Sequence, residues 1–113
     1  MELILIIKEL EFLKKKNLNE CLFSTGGKDK INYNLNTRKS GSAALDMAYV
    51  GAGRYDGYFQ KNLNIWDIAA GIIILKESGG KINDINYSSN EVIRVLAGSN
   101  SIYEKMLENL NNF

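Results

Sequence analysis

The stretch "NIWDIAAGIIILKESGGKIND", residues 64–84, decides the fold. Its middle is an apolar run of helical length, its end is a Gly-Gly, and its start carries a carboxylate, Asp67, beside Trp66. Apolar residues at 68, 69, 70, 72, 73, 74 and 75 go nearly all round a helix over 65–78, which predicts burial on more than one side and an apolar face left for another domain or a second copy to cover. Gly79 and Gly80 stop that helix and let the chain turn back into a strand. Asp67 falls in the first turn, where the helix dipole favours a negative charge by about 0.3–1 kcal/mol. Asn64, three residues earlier, offers an Asn-x-x-Asp arrangement similar to a capping box. Local physics leaves two roles open for Asp67. It is either a cap, or a hard oxygen ligand presented rigidly at the rim of the core, of the kind that holds Mg²⁺ with water and substrate phosphate.

Outward from this helix the chain alternates between helical and extended patterns. Residues 2–16 carry a stripe of Leu3, Ile6, Ile7, Leu10 and Leu13, closed favourably by Lys14, Lys15 and Lys16 at the carboxy-terminal end. "CLFSTGG" (21–27) reads as a short strand running into a glycine turn, and the polar, Asn-rich residues 28–40 read as loop. "GSAALDMAYVGAG" (41–53) reads as a second helix, capped by Ser42 and ended by glycines. A short strand is expected in "YDGYFQ" (55–60) and two more in 79–89 and 91–99. A last helix is expected over 100–110, capped by Asn100 or Ser101. Such alternation predicts an α/β fold, a layered sandwich of a mixed sheet flanked by helices.

Composition removes several function classes. The chain has 113 residues, 45% of them hydrophobic and 24% charged, with a net charge of +1, enough for one domain. That balance gives no electrostatic reason for direct nucleic-acid binding or an acidic lipid surface. The absence of histidine excludes Ser-His-Asp and Cys-His nucleophiles and His-containing zinc sites. Cys21 stands alone, so it forms no intrachain disulfide and reads as a small apolar side chain in a reducing cytoplasm. "LILII" (3–7) is too short to span a bilayer, so no membrane association is expected.

Two glycine motifs fail on spacing. Gly51, Gly53 and Gly57 miss the G-x-G-x-x-G spacing by one residue and end a helix instead of following a strand. Both "GGK" triplets lack the upstream glycine of a P-loop, having Leu22 and Leu75 there, and have Asp29 and Ile82 where Ser or Thr is required.

One constellation survives. "RKSGSAALDMAYVGAGRYDGYF" (38–59) followed by "WDIAAGIIILKESGG" (66–80) closely resembles the carboxy-terminal signature region of the inositol monophosphatase family. The second segment supplies Trp66, Asp67, Ala69, Ala70, Gly71, Glu77, Ser78, Gly79 and Gly80, and a looser match continues through "VIRVLAGSNSIYEKM" (92–106). The resemblance covers residues 38 to about 108, roughly two thirds of the chain. It divides the chain into a weakly matched part, 1–37, and a subdomain, 38–113, corresponding to the carboxy-terminal subdomain of the inositol monophosphatase fold.

The resemblance implies a Mg²⁺-dependent, lithium-sensitive phosphomonoesterase acting on inositol phosphate or a related sugar phosphate. Asp67 takes the place of the family's metal-ligating aspartate, which also approaches substrate hydroxyls. Gly41, Ser42 and Ala43 match the segment lining the sugar or inositol pocket. Gln60 stands where the family commonly has a Glu that binds a substrate hydroxyl, and Trp66 is expected to pack and orient Asp67. The family's remaining metal carboxylates lie in its amino-terminal half, which carries a Glu and an Asp-Pro-(Ile/Leu)-Asp-Gly-Thr motif, and nothing here matches them. The chain is therefore expected to be the carboxy-terminal half of such an enzyme, begun at an internal Met, and inactive alone. The expected partners are a phosphorylated small molecule and either a separately encoded amino-terminal half or a second copy. The alternatives are a noncatalytic protein-interaction or transcription-associated module, and a non-functional gene remnant.

Overall fold

A computed structural model describes residues 2–13, 17–26 and 35–110. The elements run α1 (Glu2–Leu13), a 3-10 turn (Leu18–Glu20), β1 (Leu22–Thr25), β2 (Asn36–Arg38), α2 (Ala43–Gly51), β3 (Gly57–Asn64), α3 (Ile65–Glu77), β4 (Lys81–Ile82), β5 (Glu91–Gly98) and α4 (Tyr103–Asn109). The five strands form one mixed sheet in the order β2-β1-β3-β5-β4. β1 runs parallel to both β2 and β3, whereas β5 is antiparallel to β3 and β4. The expected α/β sandwich with a mixed sheet is thus the observed architecture.

The sheet's two faces carry separate cores. On one face Met47 and Val50 of α2 and Ile68, Ile72 and Leu75 of α3 pack over Tyr58, Val95 and Ala97. On the other, Ile102, Met106 and Leu110 cover Phe23, Phe59 and Leu96, with Cys21 buried among them as expected. Alternation along β3 and β5 assigns Tyr58 and Ala97 to the first core and Phe59 and Leu96 to the second. The alternation breaks at Asn62, whose φ of 59° is left-handed, and the ladder skips the Asn62–Ile93 step. Beyond the break Leu63 and Val92 join the Tyr58 core, out of phase with strict alternation. Asn tolerates this conformation better than a β-branched residue would.

α3 ends as its glycines require. Gly79, with φ 85°, donates to Lys76 O at 3.1 Å, and Gly80 donates to Leu75 O at 2.9 Å, the two bonds of a Schellman motif. Its packing leaves one apolar face uncovered, as expected. Only Ile68, Gly71, Ile72 and Leu75 are buried, while Trp66, Ile73 and Ile74 are 63%, 58% and 44% exposed. α2 covers a single face and comes so close that a Cβ on Gly71 would stand 3.0 Å from Ala44 O. Nothing among the described residues covers the opposite side. Each buried aliphatic side chain there gains about 1.5–3 kcal/mol that Ile73 and Ile74 forgo.

Other expectations need correction. The helix in the first residues forms, but Leu3, Ile6 and Ile7 are exposed; Lys14, Lys15, Lys16 and the side chains of Leu10 and Leu13 lie outside the described residues. Part of the expected 28–40 loop is β2, a three-residue polar edge strand with no apolar pattern to announce it, and residues 27–34 lie outside the described ones. β3 is longer than the expected strand and enters α3 with no loop. Only Lys81–Ile82 is strand within 79–89. Beyond it the Asn83 side chain takes over edge pairing, accepting from Leu96 N at 2.8 Å and donating to Arg94 O at 3.2 Å. α4 is capped by neither Asn100 nor Ser101; its first N–H groups donate to Ser99 O instead.

Candidate functional site

Two helices begin at the same rim of the sheet. α2 is entered through Gly41, whose φ of 87° is open to glycine at no steric cost, and is capped by Ser42, whose Oγ accepts from Leu45 N at 3.2 Å. Ser42 O accepts from Asp46 N at 2.9 Å, and Ser42 N–H donates to Ser40 Oγ at 3.1 Å. Of the two lining residues here, Ser42 has its N–H committed, so Ala43 supplies the backbone donor for a ligand. α3 begins without such a cap. The Asn64 side chain makes no capping bond, so the arrangement expected with Asp67 does not form.

Between these starts lies a cavity of about 380 Å³ lined by Gly26, Gly41, Ser42, Ala43, Asp46, Gln60, Leu63 and Asp67. All five residues singled out as candidate ligands, Gly41, Ser42, Ala43, Gln60 and Asp67, are in its wall, brought there from three segments of the chain. A larger depression of about 690 Å³ runs along β5 and α4 past Asn83–Asn86 and contains none of them. Asp67 is exposed, and among the described residues it has no hydrogen-bond or ion-pair partner. Trp66 does not hold it: the indole is 63% exposed, so α3 alone fixes the carboxylate.

Three cavity features escaped the reading of the sequence. Asp46, 1% exposed, has an Oδ1 with no hydrogen-bond partner. Burial pushes its carboxyl above the ordinary value of 3.8, against a smaller opposing pull from the Ser40 hydroxyl. The buried Tyr58 hydroxyl donates a short bond to Gln60 Oε1. Its phenol is held above the ordinary range first by burial and then by the Asp46 charge, so it remains a donor. Gly26 supplies the space for Gln60, because a Cβ there would run into the Gln60 amide. A signal for Asp46 was available: it shares the stripe of Ala43, Met47 and Val50, which turns a carboxylate towards the core.

A family model described as the inositol monophosphatase family matches residues 5–112, reaching further towards the amino terminus than the quoted motifs. The chain is 34% identical over 121 aligned residues to the inositol-1-monophosphatase of Caulobacter vibrioides, covering 91% of this chain and 47% of that protein. It is 42% identical over 77 residues to Nus factor SuhB of Escherichia coli, covering 66% of this chain and 29% of that one. An Anabaena inositol monophosphatase structure superposes with a TM-score of 0.73 at 32% identity, over 88% of this chain and 46% of that chain. A Thermotoga maritima enzyme structure gives 0.72 at 33%, over 88% and 43%. The chain spans about half the length of the first of these curated relatives and less of the second. With the family model, the relatives and the sheet in agreement, the chain belongs to the inositol monophosphatase family, as a carboxy-terminal portion of its fold.

Proposed function

We propose that this chain is the hydroxyl-binding half of a Mg²⁺-dependent phosphomonoesterase that hydrolyses inositol phosphate or a related sugar phosphate in the cytoplasm. The observation that carries the reading is the convergence of Gly41, Ser42, Ala43, Gln60 and Asp67 on one cavity. In this role the Ala43 N–H and the Gln60 amide bind and orient the alcohol part of the ester. Asp67, fixed by α3 on the rim, accepts from a further hydroxyl.

Asp67 also fits one position of a metal site, since an exposed carboxylate with no partner is a good hard-oxygen ligand. It does not make a site by itself: no group of three ligating side chains gathers among the described residues. No catalytic step is therefore assigned to the ion within this chain. The remaining ligands would come from an amino-terminal half, which also gives the uncovered apolar side of α3 a place to pack.

The test is reassembly. The chain alone, with Mg²⁺ and inositol phosphate, is expected to release little or no phosphate. Supplying the amino-terminal half of the Caulobacter relative should restore release, and Asp67→Asn should remove it. Vigorous release by the chain alone, abolished by Asp67→Asn, would overturn the half-site reading. Failure of the reassembled protein would leave the second reading, a noncatalytic interaction module, favoured by the exposed Trp66, Ile73 and Ile74 and by the similarity to a protein named as a Nus factor.

A further inference from the structure

Asp46 is a cost to the fold that the Ser40 hydroxyl offsets only in part. A carboxylate 1% exposed, with one oxygen lacking any hydrogen bond, is among the least favourable placements available to an acidic side chain. Three donors of the cavity region are already committed. The Ser42 N–H goes to Ser40 Oγ, the Leu45 N–H goes to Ser42 Oγ, and the Tyr58 hydroxyl goes to Gln60 Oε1. Asp46 lines the cavity, so a ligand held there is in position to supply the partner that Oδ1 lacks.

The same network sets what Gln60 presents. Tyr58 takes one acceptor position of its oxygen, and the Gln60 amide NH₂ makes no hydrogen bond among the described residues. The cavity wall thus pairs an acceptor, Asp46, with a donor, Gln60. A hydroxyl both donates and accepts, so two hydroxyls on one ring satisfy both groups. An amine would meet the Gln60 donor unfavourably, and a hard cation would want more oxygen ligands than the described residues gather. A volume of about 380 Å³ suits one sugar-sized ring.

We propose that Asp46 is a substrate-recognition residue: its Oδ1 accepts a hydrogen bond from one hydroxyl of a cyclic polyol, while the Gln60 amide donates to the oxygen of another. This rests on the phosphomonoesterase reading and adds to it the acceptor that selects a polyol ring over a bare phosphate ester.

The probe is myo-inositol, with no phosphate and no metal, titrated into the full chain by calorimetry and ligand-detected NMR. Asp46→Ala should weaken binding about tenfold or more, the size expected for a hydrogen bond to a charged group. One monodeoxy-inositol should bind wild type more weakly than myo-inositol does, and in Asp46→Ala that penalty should vanish, because the partner of the missing hydroxyl is gone. Thermal midpoints of Asp46→Ala and Asp46→Asn should match or exceed wild type, showing both variants folded. Three results overturn the inference: no binding of myo-inositol by wild type, equal binding by wild type and Asp46→Ala, or a lower midpoint for both variants, which would make Asp46 structural. Phosphate release by the reassembled protein is a separate measurement. Activity there with Asp46-independent binding removes this inference and keeps the function, and the reverse pattern does the opposite.

Discussion

The two helix starts that flank the cavity, those of α2 and α3, hold carboxylates in opposite states. Asp46 is buried in the cavity wall with an orphan oxygen, whereas Asp67 stands in solvent seven residues beyond Gln60 on the same wall. α2 is closed by a side-chain cap, and α3 continues straight from β3 with none. Burial, not position in the helix, separates them. The dipole favours both, but Asp46 is buried, and desolvation pushes its carboxyl upward. One carboxylate weakens the fold and the other leaves it nearly untouched.

The largest effect that would break this contrast is on activity. In the reassembled protein Asp67→Asn should lower phosphate release by about a hundredfold or more, measured at saturating Mg²⁺, with the thermal midpoint unchanged. Next comes stability at Asp46. Asp46→Leu should raise unfolding free energy by ~1–3 kcal/mol in denaturant titration, by removing a buried carboxylate that the fold does not satisfy. If it lowers stability instead, the two carboxylates are not opposites. Third, Ser42→Ala should cost about 1 kcal/mol by loss of the Leu45 bond, while Asn64→Ala, at a cap with no side-chain bond, should cost only a few tenths.

The smallest effect is the pH dependence. A carboxyl whose folded pKa is raised binds its proton more readily in the folded state. Its contribution is complete below the unfolded value of 3.8 and is lost as pH rises through the raised value. Unfolding curves of wild type and Asp46→Asn should therefore converge on acidification through that window and separate above it. Parallel curves would show that burial does not perturb Asp46.

Much of this was legible in the sequence, and particular residues show why the rest was not. Ser42 and the Gly79–Gly80 pair act through local backbone bonds, so their roles could be read from a few neighbours. The convergence of Gly41, Gln60 and Asp67 followed from the family resemblance, since no local rule brings 41 and 60 together. A helix apolar all round announces an uncovered face, which Trp66, Ile73 and Ile74 form, but gives no sign of which side is covered, so the loss of the expected Trp66 support went unseen. Asn83 replaces strand pairing with its side chain, an arrangement that leaves no period-two pattern. Asp46 was hidden by reading α2 as apolar filling.

The loopless junction between β3 and α3 has a consequence for how this site can change through evolution. Gln60 and Asp67 belong to one uninterrupted rod, with Asn62 as its sole left-handed residue among those described. Adding or deleting one residue within 61–64 would turn Asp67 about 100° around the helix axis and carry it off the cavity wall. Most surface connections absorb changes of length; this one transmits them directly to a ligand-facing group. The site is open to revision by substitution, as Gln60 itself illustrates, and closed to revision by length.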